Sequence, residues 1–500
     1  MDDEFQKLTI KYIQAKLSEN IPGKDNKNLP AAWKFIQREM QKQRQIRPVR
    51  QILKEAGDAV KTLALCLMMS PLSVAQYLPV SKDSFDVVVF DEASQITVWD
   101  AIGTLSRGRQ VIVAGDPKQM PPSNFFGRNI EYNEEELGLD EDLESILDEL
   151  IGSSMPTLKL NWHYRSRCES LIAFSNATYY DSSLVTFPAS RTNQKSVYFR
   201  YVENGCYERG ARINPNEAKA IVKECVKRLK DSETKHRSIG IVTFNSDQQK
   251  LIEDLLDKER EQNPDIEFAF SQDNPDAVFV KNLETVQGDE RDVILFSVTY
   301  GPDNAGKLLM NFGPLNRTGG ERRLNVAFTR AKYEMVIFST LQPDQIDLNR
   351  TNAKGVEDLK AFLQYAKQGK SALGTLPTRS LGEAESPFEI EVVEQLRNKG
   401  WNIHTQIGAS SYRIDIAVVH PDKPGEYLAG IECDGATYHS SATARDRDKL
   451  RQSVLEGLGW NILRVWSTDW WTNKKDSIEK LNVQLNNLYK NSKSKESINI

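Results

Sequence analysis

Long apolar runs are missing from this 500-residue chain: no stretch approaches the ~18 uninterrupted apolar residues of a membrane-crossing helix. Cysteine is scarce and scattered. Cys66, Cys168, Cys206, Cys225 and Cys433 are odd in number and never spaced C-x-x-C. That pattern gives neither a disulfide framework nor a zinc site, and it fits a reducing cytoplasm. An excess of positive charge is missing too. The 65 Lys and Arg stand against 70 Asp and Glu, for a net charge of −5. The chain as a whole therefore lacks the basic signature of nucleic-acid binding, although a channel can be basic locally. The first residues, MDDEFQKLTIKY, are acidic and polar and do not form a secretory signal.

What is present supports folded domains. Hydrophobic residues make up 39% of the chain, ample for buried cores, and the length suggests about three domains of ~150 residues. Residues 1–62 are polar and read as mostly helical: KDNKNLP at 24–30 marks a break, and AAWKFIQREMQKQRQIRPVRQIL reads as a helix pair around Pro48. Lys34, Arg38, Lys42, Arg44, Arg47 and Arg50 crowd this stretch. A solvated helix face is the ordinary explanation; a helical insertion beside a nucleic-acid groove, or a remnant of a first lobe, is the alternative.

From residue 85 the period changes. FDVVVFDEAS and RQVIVAGDPKQ are near-continuous apolar runs ending in acids, the pattern of parallel strands buried on both faces. LESILDEL reads as a helix. SIGIVTFN at 238–245, DAVFVKNL at 276–283, DVILFSVTY at 292–300 and EMVIFST at 334–340 predict four more strands with helices between, a second α/β layer. Residues 346–387 read as a linker around the helix KAFLQYAKQGK, a compact domain fills 388–487, and 488–500 is a low-complexity tail expected to be disordered.

Five blocks stand in order: DEAS at 91–94, GDPKQMPP at 115–122, NWHYRS at 161–166, ETVQGDERD at 284–292 and RRLNVAFTRAK at 322–332. Asp91 at a strand end can hold Mg²⁺ through water, and Glu92 can polarise an attacking water. Gln119 can sense a γ-phosphate. The guanidinium forks of Arg165 and Arg330 suit triphosphate oxygens. Gln287, Gly288, Asp289 and Glu290 form a glycine turn in which Glu290 can accept from a ribose or a water, and Thr285 can touch a nucleic-acid phosphate.

These blocks, with MSPLSVAQYLP at 69–79, resemble the Upf-like branch of superfamily 1 helicases over roughly residues 63–340. The resemblance implies two RecA-like α/β lobes: a partial one at 63–160 with motifs II and III, and a complete one at 161–345 with motifs IV to VI. It also implies ATP in the cleft, single-stranded nucleic acid across the top and ATP-driven translocation. By match of motif, Asp91 and Glu92 take the Mg²⁺ and the attacking water. Gln119, Arg165, Gly288, Glu290 and Arg330 serve nucleotide binding, sensing and transition-state charge.

One block is missing. No window matches the phosphate loop G-x-x-x-x-G-K-[ST]; QGKS at 368–371 has Gln364 where the first glycine belongs. Without the loop there is no lysine on the β/γ-phosphates and no hydroxyl on Mg²⁺, so the chain alone is expected to hydrolyse ATP poorly. A longer parent protein is the favoured explanation. A natural split completed by a partner chain, or a lost motor, follows.

The C-terminal order SPFEIEVVEQLRNKG, WNIHTQIG, SYRIDIAVVHP, YLAGIECDG, RDRDKLRQSVLEGLG, WNILRVWS reads as α-β-β-β-α-β. Alternation puts Glu432 and Asp434 on one face of the third strand, where Asp415 of the second can meet them. Converging carboxylates repel unless a cation joins them, and oxygen ligands suit Mg²⁺ or Mn²⁺. This arrangement is similar to restriction-endonuclease-like PD-(D/E)xK nucleases. Within them it looks most like the very-short-patch-repair-like group, with E-x-D-G at 432–435, His439, and a basic helix at Arg445 to Arg451.

The usual third-strand lysine is absent and Asp434 stands in its place; His439 or Lys449 is the expected substitute, with Glu389 helping to hold the metal. A structural role beside Tyr438 is an equal alternative for His439, and Trp466, Trp470 and Trp471 suit core packing more than base stacking. The combined expectation is a cytoplasmic helicase–nuclease fragment or subunit that acts on nucleic acid, DNA before RNA, in bacterial defence or repair. It would use ATP and Mg²⁺ or Mn²⁺. The alternatives are a catalytically silent binding module and a subunit whose ATPase a partner completes.

Overall fold

The computed structural model describes residues 2–23, 28–80, 84–122, 145–190, 195–373, 386–408, 412–423, 425–435 and 442–496. The chain divides into two compact units, Met1–Pro117 with Pro121–Thr157, and Lys118–Met120 with Leu158–Ile500. It is mixed α/β with parallel sheets and a small separate sheet near the C-terminus. Among the described residues no helix is long and apolar enough to cross a membrane.

In the first unit, helices Ala31–Met40 and Val49–Leu63 flank Pro48 as the sequence predicts and close a small core around Ile36, Ala56 and Ala59. Strands β1 (Phe85–Phe90) and β2 (Gly108–Val113) pair in parallel, Val89 opposite Ile112. Their apolar runs were expected to be buried on both faces. They are not: Val87, Val89 and Ile112 are 41%, 62% and 57% exposed. The buried cluster lies on one side, where Phe90 and Ala93 meet Ala101, Ile146 and Leu147 from the helices Val98–Leu105 and Ile146–Gly152. Among the described residues this sheet has two strands only.

The second unit holds a two-stranded ribbon, β3 (Trp162–His163) with β4 (Val185–Thr186). It also holds a five-stranded parallel sheet in the order β5 (Val197–Tyr201), β9 (Ala331–Ser339), β8 (Arg291–Ser297), β6 (Ile239–Thr243), β7 (Phe279–Asn282). Four of these five match the expected runs. The fifth, β5, carries no apolar run and goes unmarked in the sequence. Alternation along β8 works as a two-faced strand must. Val293 and Leu295 pack with Ile221 and Ile252 of the helices Pro215–Lys230 and Ser246–Gln262. Ile294 and Phe296 pack on the other side with Phe174, Phe328 and Phe362.

Three boundaries differ from the sequence expectation. Lys118–Met120 belongs with the second unit: Met120 is buried in its core, and Lys118 O accepts from Asn325 Nδ2 at 2.9 Å. Helix Lys354–Gln368 is no linker, because Val356, Leu359, Phe362 and Leu363 are buried in the same core. Residues 488–496 continue the helix Lys474–Glu496 rather than starting a tail. That helix buries Leu481 and Leu485 and is pinned by Tyr489 Oη to Asp422 Oδ2 (2.8 Å) and by Ser492 Oγ against His420 Nε2 (3.0 Å).

The C-terminal sheet runs β10 (Ile403–Ile407), β11 (Ile414–Val419), β12 (Tyr427–Asp434), β13 (Ile462–Trp466), with the last pair parallel. Helices Pro387–Asn398 and Ala442–Gly457 precede and interrupt it as expected. Val392, Leu396, Ile416, Val418, Ile431 and Trp470 form its core, so Trp470 serves packing, while Trp471 is exposed.

Candidate functional site

The motor-type residues fall in both units. In the first, β1 ends in a tight turn. Glu92 takes a left-handed backbone (φ 51°), and its N–H donates to Asp91 Oδ1 at 3.0 Å. A non-glycine residue held there stores strain that surrounding contacts must fix. Gly115, after β2, makes this possible: a Cβ on it would lie 3.1 Å from the backbone nitrogens of Ala93 and Ser94. The two motif turns thus press together at a glycine.

In the second unit, Arg165 Nε lies 2.6 Å from Glu290 Oε2, and Lys332 Nζ lies 2.9 Å from Glu290 Oε1. Burial raises the Glu290 carboxyl, but Lys332 and Arg165 outweigh it and hold the group below its ordinary range. The expected ribose or water acceptor is therefore paired with the expected arginine. Gly288 adopts φ 88°, the conformation its turn needs. Arg330 is buried, and its donors turn to Val326 O (2.8 Å) and Thr329 Oγ1 (3.1 Å) of its own lobe. Gln119 is half-buried on this unit. Thr285 is occupied locally: its hydroxyl accepts from the Asn282 N–H at 3.2 Å.

His163 was missed. Burial first, then Arg165 and Arg330, push its imidazole down to about 4, so it stays neutral, with Nε2 accepting from the Ser166 N–H at 3.3 Å. A histidine two residues from a motif arginine is the signal that was available.

The C-terminal candidates converge on the β11–β12 edge. One step beyond the Ile416–Ile431 pair, Asp415 faces Glu432, and Asp415 Oδ2 accepts from the Cys433 N–H at 2.8 Å. Burial and then the Asp415 charge push the Glu432 carboxyl well above its usual range, Asp434 adding to the rise. Tyr412 and Arg464 pull it back. The Cys433 thiol is pushed far up by burial and, to a smaller extent, by the charges of Asp415, Glu389, Glu432 and Asp434.

Those carboxylates are not equivalent. Asp434 Oδ2 lies 3.2 Å from Arg464 Nη1. Glu389 is buried and doubly held: Ser386 Oγ donates to Oε1 (2.9 Å), and Gln406 Nε2 donates to Oε2 (3.1 Å). The Glu389 N–H in turn donates to Ser386 Oγ (3.2 Å), which caps the helix Pro387–Asn398. Glu389 therefore has a structural task. Among the described residues no group of three or more His, Cys, Asp and Glu side chains is gathered closely enough to hold a metal ion. What fits a divalent cation is the Asp415–Glu432 pair, an oxygen-only donor set whose mutual repulsion a cation would relieve.

Lys449 is exposed on the helix Ala442–Gly457, and His439 lies outside the described residues. Two residues outside the motifs also reach the site. Arg464 pairs in register with Glu432 from β13, and Tyr412 Oη donates to Glu432 Oε1 at 2.9 Å. An arginine inside the strand pattern NILRVW was the available sign for the first; nothing local marks the second.

Two AAA domain family models match residues 5–125 and 143–342, and the REase_MTES_1575 family model matches 388–485. An uncharacterized ATP-dependent helicase, the MG140 homolog of Mycoplasma pneumoniae, is 31% identical over 430 residues, which is 82% of this chain and 37% of that protein. The probable helicase senataxin of Homo sapiens is 29% identical over 278 residues, 52% of this chain and 9% of its own. The DNA replication ATP-dependent helicase/nuclease DNA2 of Gallus gallus is 24% identical over 340 residues, 66% of this chain and 30% of its own. A solved arterivirus nonstructural protein 10 (helicase) with DNA covers 54% of this chain and 43% of that one, at 15% identity and a TM-score of 0.25. The chain spans about two fifths or less of the length of these curated relatives. It thus carries helicase-type AAA segments followed by a restriction-endonuclease-like segment.

Proposed function

We propose that this chain is part of a helicase–nuclease that remodels nucleic acid, DNA before RNA, and cuts it with its C-terminal domain. The observation that carries the cutting step is the Asp415–Glu432 pair, set cross-strand on β11 and β12 of the C-terminal sheet. A bound Mg²⁺ or Mn²⁺ would supply an activated water and charge stabilisation for phosphodiester hydrolysis. Asp415 and Glu432 would hold it. From the neighbouring strand β13, Arg464 places a positive charge beside them, and Asp434, which stands where the family pattern has its third-strand lysine, orients that arginine.

On the motor side, Asp91, Glu92, Gln119, Arg165, Glu290 and Arg330 supply the carboxylates and guanidiniums of an ATP site, with no phosphate loop in the sequence. Completion of the ATPase by further polypeptide is supported by the first unit itself. Among the described residues this sheet has two strands and leaves Val87, Val89 and Ile112 exposed, which favours further cover by other polypeptide. Defence against foreign DNA, or repair, is the setting such a fusion suits.

The test is cleavage of single- and double-stranded DNA by the purified chain with Mg²⁺ or Mn²⁺, beside Asp415→Ala and Glu432→Ala. Metal-dependent cutting that both variants abolish supports the proposal. Well-folded protein that cuts nothing with either metal refutes it. That outcome favours a second reading, a silent nucleic-acid-binding module, for which the lack of a closed three-carboxylate cage among the described residues speaks.

A further inference from the structure

Tyr412 belongs to the nuclease-like domain, yet half of what holds its ring comes from the lobe before it. The ring lies 5.3 Å from Phe187, centroid to centroid, and the Arg451 guanidinium stands 5.1 Å from its centroid. Arg451 reaches across to Trp162, 5.7 Å from that ring, and Trp162 meets Phe187 edge-on at 5.5 Å. Two residues of the β3–β4 region and two of the nuclease-like domain thus close one ring of contacts. The seam is fixed by further bonds: Trp460 Nε1 donates to Pro188 O at 2.8 Å, the Tyr427 N–H donates to Ser190 O at 2.9 Å, and Arg167 donates to Gly457 O. Phe187, Tyr412, Leu455 and Trp460 are buried in it.

The hydroxyl of Tyr412 spends its proton on Glu432 Oε1. A carboxylate so bonded has one oxygen fixed and the plane of the group set, which is what neighbours of metal-ligating carboxylates do. On the other side, Trp162 sits three residues from Arg165, the arginine paired with Glu290.

We propose that Tyr412 is a positioning residue for Glu432, and that Trp162 and Phe187 of the motor-type lobe hold it there. The nuclease-like site is then completed only by the lobe on which it docks. This rests on the metal-dependent nuclease reading above.

The experiment uses the full chain and two readouts: Mn²⁺ binding without DNA by titration calorimetry, and cleavage of a labelled DNA across Mn²⁺ concentrations. Tyr412→Phe keeps the ring and loses the hydroxyl; Trp162→Ala removes the support; Trp162→Phe restores an aromatic face. Melting temperatures confirm that each variant is folded. Tyr412→Phe and Trp162→Ala are expected to weaken Mn²⁺ binding about tenfold, the low end for such outer partners, and to raise the Mn²⁺ concentration for half-maximal cleavage by the same factor. Trp162→Phe is expected to recover most of the loss. A wild-type chain that binds Mn²⁺ and cuts DNA, with Tyr412→Phe and folded Trp162→Ala chains of unchanged Mn²⁺ dependence, overturns the positioning role alone. A wild-type chain that neither binds Mn²⁺ nor cuts overturns the nuclease reading and this inference with it.

Discussion

Arg464 sits on β13 directly in register with Glu432 on β12, and its Nη1 lies 3.2 Å from Asp434 Oδ2. Its Nε also donates to Gln452 Oε1 at 3.1 Å, so the guanidinium is held from two elements. A cation fixed beside carboxylates supplies charge at no cost of reorganisation, and removing one such group costs about a hundredfold or more in rate. Arg464→Gln is expected to lower DNA cleavage by about that factor while leaving the melting temperature nearly unchanged, because the residue is partly exposed. Arg464→Lys, which keeps the charge but not the fork, falls between. Cleavage by Arg464→Gln at the wild-type rate would leave the charge to Lys449 or His439, the residues the sequence favoured.

If Asp415 and Glu432 hold a divalent cation, the ion binds the folded chain and must stabilise it. Mn²⁺ at ~100 times its dissociation constant should add roughly 2.7 kcal/mol to the domain that binds it. The upward shift in the corresponding melting transition is expected for the wild type and lost in Glu432→Gln and Asp415→Asn. Those two variants should themselves melt at or above the metal-free wild type, since each removes one of two repelling charges. An equal shift in all three chains would place the ion elsewhere.

Gly320 opens the helix that leads to Arg330, and it does so against the backbone of Leu315: an added Cβ would lie 2.5 Å from the Leu315 carbonyl oxygen and 2.8 Å from its carbonyl carbon. Backbone cannot swing aside as a side chain can. Gly320→Ala is therefore expected to destabilise the second unit by about 1–3 kcal/mol through overpacking, and to loosen Arg323, whose Nε lies 2.7 Å from Glu284 Oε1. Denaturant titration checks this; an unchanged midpoint would mean that the helix start shifts freely.

Much of this could be read in the sequence because it depends on local pattern. Strands β6, β8 and β9 are apolar runs, and alternation alone placed Glu432 and Asp434 on one face. What escaped depends on partners distant in sequence. Tyr412 meets Phe187, and Arg464 meets Asp434; no period connects such positions. The exposure of Val87 and Val89 escaped for a different reason. An apolar run says that a strand expects cover on both faces, and says nothing of whether the chain at hand supplies it. Lys118–Met120 joined the second unit through Met120 and a backbone carbonyl, neither of which has a sequence signature.

Glu217 is a carboxyl in the core of the second unit. Its Oε1 accepts from Ser297 Oγ at 2.5 Å and from the Thr299 N–H at 2.7 Å, and the backbone N–H groups of Thr340 and Val298 also favour its charged form. Burial is the main effect and raises it from an ordinary 4.5 to about 7 despite those donors. Between these two values the folded chain keeps a proton that the unfolded chain has lost. The contribution to stability is therefore fully present below pH 4.5, declines as pH rises towards 7, and is gone above it, a swing of roughly 3 kcal/mol. Glu217→Gln keeps the acceptor oxygen and never ionises. Calorimetric melting should show the two chains close at pH 5 and the glutamine variant higher by several degrees at pH 8. The difference between chains cancels His163, whose lowered value acts with the opposite sign at lower pH. Equal gaps at both pH values would mean that Glu217 stays ionised in the core, held by its hydrogen-bond donors against burial.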